Sequence, residues 1–285
     1  STNTFSVTPQ SNSWNGILLA STDATNWVTF TTNGATAATN ATGEYRLYLS
    51  GWGNNRISDY STTPAWEIDA ADQVACSGNI ESLLDHPKVA AGEEPDMANY
   101  CFANLFKDCT ALIRAPELPA MTLGGHAYHG MFAGCTGLTN APALPATNLT
   151  ASCYETMFAG CTGLTDTPAL PAQTLADSCY RSMFENCTSL TNAPELSATV
   201  LEWDCYNSMF LGCTGLTRLP ALPATNLTPN CYRSMFENCT GITLYEAGAA
   251  PTWGIPAGAT SAQNWNANML AGTGGTFTGD PVVGV

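Results

Sequence analysis

Apolar and polar positions recur with a period of 26 residues through the middle of the chain. One repeat, residues 153–175, reads Cys-Tyr-x-x-Met-Phe-x-x-Cys-Thr-x-Leu-Thr-x-x-Pro-x-Leu-Pro-Ala-x-x-Leu. Eleven of the twelve cysteines fall into two columns at this period, Cys101, Cys153, Cys179, Cys205, Cys231 and Cys109, Cys135, Cys161, Cys187, Cys213, Cys239. A fixed period of this length predicts a solenoid in which each repeat packs on its neighbours.

The apolar residues inside one repeat are spaced i, i+1, i+4, i+5 and i+8, which is typical of one face of a short helix. They are Cys153, Tyr154, Met157, Phe158 and Cys161. A turn and a short strand are expected next. The strand should end before the proline column, because proline cannot donate to a sheet ladder. The pattern therefore predicts an α/β solenoid of six 26-residue repeats, with short parallel strands on one side and helices on the other.

Three stretches resemble BspA-like leucine-rich repeats, which occur in bacterial surface proteins and in bacteriophage-encoded ones. They are CYETMFAGCTGLTDTPALPAQTL at 153–175, CYRSMFENCTSLTNAPELSATVL at 179–201 and CYRSMFENCTGIT at 231–243. The stretch VACSGNIESLLD at 74–85 resembles the segment that often precedes such arrays. The resemblance implies a right-handed solenoid of leucine-rich-repeat type and a non-enzymatic role in adhesion or surface recognition.

The helical spacing predicts that the repeat cysteines are free and buried. Cys153 and Cys161 would lie about 12 Å apart along a helix, beyond the roughly 7 Å that a disulfide allows between Cα atoms. Ala127 replaces cysteine in the first column, as expected if both residues fill space in a core. A zinc site is not expected from cysteines, since no Cys-x-x-Cys pair occurs.

The sequence divides into four parts. Residues 1–75 contain two stretches that alternate with period two, at 27–31 and 45–50, and three further strand candidates at 17–19, 66–68 and 73–76. Short strands separated by turn residues predict an antiparallel β-sandwich domain. Residues 76–100 form a predicted N-terminal cap with a short helix at 81–85 and a loop at 91–96. Residues 101–243 are the repeats, and residues 244–285 are a predicted C-terminal cap or tail, because the period ends there.

Composition narrows the possible partners. The chain of 285 residues has 23 acidic and 8 basic side chains, a net charge of −15, and 45% hydrophobic residues. This charge argues against a basic surface for nucleic acid or anionic membrane. No apolar stretch approaches the roughly 20 residues that span a bilayer. We therefore expect a folded protein with no nucleic-acid partner and no membrane insertion, and the oligomeric state stays open.

Residues that could perform catalysis or bind a metal are few. His126 and His129 have the i, i+3 spacing of two ligands on a helix, but no carboxylate or cysteine at a matching spacing completes the set. The three histidines form no Ser/His/Asp or Cys/His set, and no nucleotide-binding or nucleophile-elbow motif occurs. The sequence predicts no enzyme, no metal and no cofactor.

Two further motifs have simple structural interpretations. Glu93, Glu94 and Asp96 have no EF-hand spacing, which favours a solvated loop over a calcium site. Residues 21–27, Ser-Thr-Asp-Ala-Thr-Asn-Trp, come close to the Asp-box hairpin of sialidases but lack its glycine. A turn between two strands explains this segment.

One column that varies between repeats offers a candidate ligand-binding face. Two residues before the prolines stand Arg114, Asn140, Asp166, Asn192 and Arg218. Two interpretations explain the variation. Exposed positions can vary because nothing constrains them, or this face recognises a ligand, as extended repeat proteins commonly do. A second variable column follows the first cysteines by two residues: Ala103, His129, Glu155, Arg181, Asn207, Arg233. We choose the first column because it lies beside the predicted strand.

The function that these features favour is recognition or adhesion at a bacterial cell surface or virion surface, with a polar protein or carbohydrate as the partner. The alternative is a structural virion component, such as a decoration, fibre or tail subunit, whose repeats supply rigidity and subunit contacts. Residues 1–10 lack the charged and apolar regions of a signal peptide. The sequence therefore leaves open whether a leader was removed.

Overall fold

The structure is a computed structural model that describes residues 5–11, 13–39, 43–60, 64–70, 72–242, 254–274 and 282–283. Its regular elements are β1 Phe5–Pro9, β2 Ile17–Ser21, β3 Val28–Thr29, β4 Ala35–Thr36, β5 Ala38–Thr39, β6 Tyr45–Arg46, β7 Tyr48–Trp52, β8 Trp66–Ala70, β9 Val74–Ala75, α1 Ser82–Ala90, β10 Leu112–Arg114, β11 Gly254–Ile255 and β12 Val282–Val283.

The strands before residue 71 pair antiparallel. β1 lies between β4 and β8, β2 lies between β3 and β7, and β5 pairs with β6. In β2 the side chains of Leu18 and Ala20 are buried while Ile17 and Leu19 are more exposed, as in a strand with one face on a core. Each predicted strand in residues 17–68 coincides with at least one observed strand, although residues 45–50 divide between β6 and β7.

Helix α1 joins this β-region to the repeats. It packs against β7, where Gly51 lies so close to the Leu83 carbonyl that a β-carbon would collide with it. Asn54 accepts a hydrogen bond from Gly16 N at 2.6 Å and donates to the Ile17 and Leu83 carbonyls. The helix predicted at 81–85 is present and continues past a non-helical Asp85. Among the described residues, no helix has the length and apolar character needed to cross a membrane.

The repeats differ from the predicted fold. Residues 101–242 are all described, none of them is helical, and their only regular strand is β10. The prediction of an α/β solenoid of leucine-rich-repeat type is therefore wrong. Most regular strands belong to the antiparallel sheets of the first 70 residues. β10 pairs in parallel with β9, while later repeats show isolated parallel bridges such as Asn140↔Asp166.

A chain of alternating turns replaces each predicted helix. In the repeat that begins at Ser152, the N–H groups of Glu155, Met157 and Ala159 donate to carbonyls three residues earlier. The backbone φ is positive at every fourth residue, as at Ser152, Thr156 and Gly160. A positive φ at the third residue is the arrangement of a type II turn, so every second turn has this form.

The intervening N–H groups bind the next repeat. Tyr154 N donates to Cys179 O at 3.0 Å, and Thr156 N donates to Arg181 O at 2.9 Å. Five such bonds join this repeat to the next one, and the same pattern recurs along residues 100–240. Every backbone donor in the turn segment is thereby satisfied, half within the repeat and half between repeats. We call residues 100–240 with this ladder the repeat stack.

Two columns of aromatic rings run through the core of the repeat stack. Rings in consecutive repeats lie nearly parallel, with centroids 5.5–5.9 Å apart. The columns are Phe102, Tyr128, Tyr154, Tyr180, Tyr206, Tyr232 and Phe106, Phe132, Phe158, Phe184, Phe210, Phe236. At one end Trp66 of β8 packs edge-on against Phe106, and at the other Trp265 packs edge-on against Tyr232. The β-region and the repeat stack therefore share one core.

A further turn layer lies beyond the point where the sequence period ends. Tyr232 N donates to Trp265 O and Phe236 N donates to Met269 O. In each bond the acceptor lies eight residues farther along the chain from its donor than in the earlier repeats. Positive φ values at Asn264, Asn268 and Gly272 keep the spacing of four. Part of the predicted tail thus continues the stack, while residues 243–253, 275–281 and 284–285 lie outside the described residues.

The cysteines are free, as predicted. The prediction assumed a helix in each repeat, and the described residues of the repeats contain none. All twelve are unpaired in the described structure, and the eleven in the repeats are buried. The second column has a specific role: Cys161 Sγ donates to Phe132 O at 3.0 Å, and Cys187 Sγ donates to Phe158 O at 3.1 Å. Burial raises the pKa of Cys153 and of Cys161 to about 12.

We predict that the repeat thiols react only after unfolding. A buried thiol with a raised pKa carries almost no thiolate near neutral pH, and the thiolate is the reactive form. Titration with an aromatic disulfide reagent should find at least ten free thiols in denatured, unreduced protein and few in native protein. Two or fewer thiols after denaturation would show that the columns are oxidised.

We also predict that Phe184→Ala damages more than its own repeat. Truncating a buried phenylalanine costs about 3–5 kcal/mol, and Phe184 stacks on both Phe158 and Phe210. Amide hydrogen exchange should therefore accelerate in the neighbouring repeats as well. Loss of protection confined to residues 179–204 would contradict the interdependence of the repeats.

Candidate functional site

The predicted ligand-binding column lies on one exposed edge of the repeat stack. Each of its five residues is exposed: Arg114, Asn140, Asp166, Asn192 and Arg218. Arg114 ends β10, and Asn140 and Asp166 are partners in a parallel bridge. Because equivalent residues of consecutive repeats stack, the column brings these side chains into one row.

A row of threonines runs directly beside this column. Thr139, Thr165, Thr191 and Thr217 are all exposed. Thr165 donates to Thr139 O from its backbone nitrogen at 3.1 Å and from Oγ1 at 3.2 Å. Asn140 Nδ2 donates to Thr139 Oγ1 at 3.0 Å, and Asn192 Nδ2 donates to Thr191 Oγ1 at 3.1 Å. We call this threonine row and the Arg114–Arg218 column together the polar face.

The threonines were missed as site residues, although the sequence contains their signal. The repeat motif Cys-Thr-x-Leu-Thr places a second exposed threonine three residues before each one in the row. Those residues are Thr136, Thr162, Thr188 and Thr214, and Thr110 and Thr240 occupy the same position in the first and last repeats. An invariant polar residue between buried cysteine and leucine indicates an exposed position that each repeat keeps.

The second variable column lies on the turn segments, and its residues His129, Glu155 and Arg181 come together across three consecutive repeats, with His126 beside them. His129 Nδ1 lies 3.6 Å from Glu155 Oε2, just beyond hydrogen-bond distance, and Arg181 Nη1 lies 3.5 Å from Glu155 Oε1. One ring nitrogen each of His126 and His129 and one carboxylate oxygen of Glu155 all lie within 4.8 Å of one another. The ring of Tyr100 stacks on His126 with centroids 4.5 Å apart.

Burial and charge act in opposite directions in this cluster. Burial lowers the pKa of His126 below its usual value, and the nearby His129 lowers it further, whereas Glu155 acts to raise it. Burial acts to raise the pKa of Glu155, but the interactions with His129, Ser152 and Arg181 outweigh burial and hold it below its usual value. Glu155 is therefore ionised near neutral pH.

Glu155 is not among the neighbours that a helical spacing predicts for the two histidines, so the sequence indicated no third ligand within one helix. Glu155 stands 26 residues after His129, in the same column of the next repeat. The stack brings the two residues together across the repeat interface. The period itself was the signal that could have found this group.

A cleft of about 890 Å³ lies where the β-region meets the start of the repeat stack. Its lining includes Tyr48, Trp66 and Phe106, together with the polar groups Arg46 and Arg114. Arg46 pairs with Glu44 at 2.7 Å. Because Arg114 is also the first residue of the polar face, the cleft and that face are contiguous.

The other two sequence motifs have the structures that were predicted for them. Glu93, Glu94 and Asp96 are exposed in a loop, where Lys88 Nζ lies 3.4 Å from Asp96 Oδ2. Asp23 lies in the turn between β2 and β3. It accepts hydrogen bonds from Asn26 N at 2.7 Å and Thr25 N at 2.8 Å. These bonds, with that of the Asn26 side chain, lower the pKa of Asp23 well below its usual value.

Comparisons of the chain with protein-family models, with curated proteins and with solved structures found no match.

Proposed function

We propose that the protein is a non-enzymatic recognition or adhesion protein that binds a polar protein or carbohydrate surface through the polar face. The observation that carries this proposal is the row of exposed threonine, asparagine, aspartate and arginine side chains along one edge of the stack. These groups offer hydrogen-bond donors and acceptors at regular intervals. The proposed site of action is extracellular, on a bacterial cell or a virion.

Rigidity supports the same proposal. The threonine row is fixed by backbone bonds such as Thr217 N to Thr191 O, and the underlying leucines, among them Leu164 and Leu190, are fully buried. A face that is ordered before binding loses little conformational entropy when a ligand arrives. Several modest polar contacts then suffice for useful affinity.

The proposed location depends on the resemblance of the repeats to BspA-like sequences, which stays a prediction. The fold that this resemblance implied is not the one observed. The proposed binding role therefore depends on the exposed face itself, and the resemblance adds only the expectation of a surface or bacteriophage setting.

We predict that changing Arg114 and Arg218 together to alanine weakens ligand binding at least tenfold. A hydrogen bond with a charged partner contributes about 1.5–3 kcal/mol, and tenfold needs only about 1.4 kcal/mol. Folding should stay nearly intact, because exposed substitutions usually change stability by about 0.5 kcal/mol or less. Ligands would be found by glycan-array and bacterial cell-binding screens of the purified chain, followed by affinity measurement.

The matched control changes Arg181 and Arg233 together to alanine. Both are exposed arginines of the repeat stack, but they lie on the turn segments. This pair should leave affinity unchanged. If it abolishes binding while the Arg114/Arg218 pair does not, the ligand binds the turn face and the proposed polar face is wrong.

The alternative function, a structural virion subunit, is favoured by a different observation. Ile17 and Trp52 are register partners in β2 and β7, and they are 52% and 59% exposed. Exposed apolar neighbours of this size are typical of subunit contacts. The β-region would then supply the contact between copies, and the repeat stack would supply rigidity.

This alternative predicts self-association that depends on Ile17 and Trp52. Light scattering across a concentration series should then show oligomers, and replacing both residues with serine should return the chain to a monomer. A monomer at every concentration for the unchanged chain would count against the structural-subunit function.

A further inference from the structure

We infer that His126, His129 and Glu155 form a binding site for a zinc-type divalent metal ion that joins two consecutive repeats. Their ligand atoms lie within 4.8 Å of one another. Tetrahedral coordination with bonds of about 2.0–2.1 Å sets ligand atoms about 3.3 Å apart. The 3.6 Å between His129 Nδ1 and Glu155 Oε2 is already close to this value.

A second, independent observation points to a ligand. The Nδ1 atoms of His126 and His129 are both buried, and neither has a hydrogen-bond partner in the described structure. A buried polar atom without a hydrogen-bond partner destabilises the folded state, because it has lost its bonds to water and gained none in the protein. A metal ion between the two imidazoles and the carboxylate would satisfy both nitrogens.

The chemistry of the donors selects the class of metal. Two imidazole nitrogens and one carboxylate oxygen suit Zn²⁺ and similar transition ions, whereas Mg²⁺ and Ca²⁺ prefer sites made entirely of oxygen. Arg181 contacts the other oxygen of Glu155, Oε1, and so orients the carboxylate while leaving Oε2 for the metal. Three protein ligands leave a fourth position for water.

The site would act as a clamp across one repeat interface. His126 and His129 belong to one turn layer and Glu155 to the next, and the same layers are joined by backbone bonds from His126 N to Ala151 O and from Gly130 N to Glu155 O. A bound ion would add a connection between these layers. We therefore expect zinc to slow amide exchange locally, around residues 126–130.

The test measures Zn²⁺ binding to the metal-free full-length chain, under reducing conditions, by competition with a chromophoric chelator. The unchanged chain should bind one equivalent. His126→Ser and His129→Ala should each weaken binding at least tenfold, and Glu155→Gln should weaken it in the same direction. Serine and alanine already occupy the equivalent positions of other repeats, at Ser152, Ser178 and Ala103, so these variants keep the turn geometry.

His86→Ala is the matched control, because His86 is the remaining histidine and lies exposed in α1. It should leave zinc affinity within about twofold. Co²⁺ in place of Zn²⁺ should give a visible spectrum without a thiolate charge-transfer band, because the ligands are nitrogen and oxygen. Three results would overturn the site: no stoichiometric zinc, unchanged affinity in the His126 and His129 variants, or a cobalt spectrum dominated by thiolate.

Discussion

The repeat stack depends on one constraint, which is that every second backbone N–H of the turn segment must find its acceptor in the next repeat. Tyr154, Thr156 and Phe158 donate to Cys179, Arg181 and Met183, and the N–H groups between them close turns inside the repeat. The bonds within a repeat satisfy only half of the backbone N–H groups of the turn segment, and the bonds between repeats satisfy the other half. A single repeat would leave half of its turn donors unpaired, so the fold exists only as a stack.

The aromatic and sulfur columns follow from this constraint. Because the backbone bonds fix the repeats in register, identical side chains fall directly over one another, as the Phe158 and Phe184 rings do. The second-column thiols add bonds to the same interface, as from Cys187 to the Phe158 carbonyl. The bond recurs at Cys135, Cys161, Cys213 and Cys239. At these positions alanine would lose a bond between repeats, whereas the first column accepts Ala127.

The sequence predicted the stacking register and the core columns, because both depend only on the 26-residue period. The free thiols were also predicted, but from a helical spacing that the described repeats do not have. It did not predict the local backbone, since buried residues at i, i+1, i+4, i+5 and i+8 fit a helix and a chain of alternating turns equally well. The signal that separates the two was present at Asp108, Gly134 and Asn186. Asp, Gly and Asn favour the positive φ that the turns require, and all three residues adopt it.

Two features were missed because the residues within a single repeat do not reveal them. The layer containing Asn268 is displaced by an eight-residue insertion, so the sequence period ends although the hydrogen-bond ladder continues. Glu155 meets His129 only across a repeat interface. The Arg114–Arg218 column of the polar face, by contrast, could be predicted from variation between repeats, because this exposed column changes residue type where core columns keep one.

The most direct test of this account is an NMR measurement of scalar couplings across hydrogen bonds in the perdeuterated chain. The account predicts that the amide nitrogens of Tyr154, Thr156 and Phe158 couple to the carbonyl carbons of Cys179, Arg181 and Met183 in the next repeat. Couplings from the same nitrogens to carbonyls four residues earlier, at Thr150, Ser152 and Tyr154, would show helices in the repeats and would contradict it.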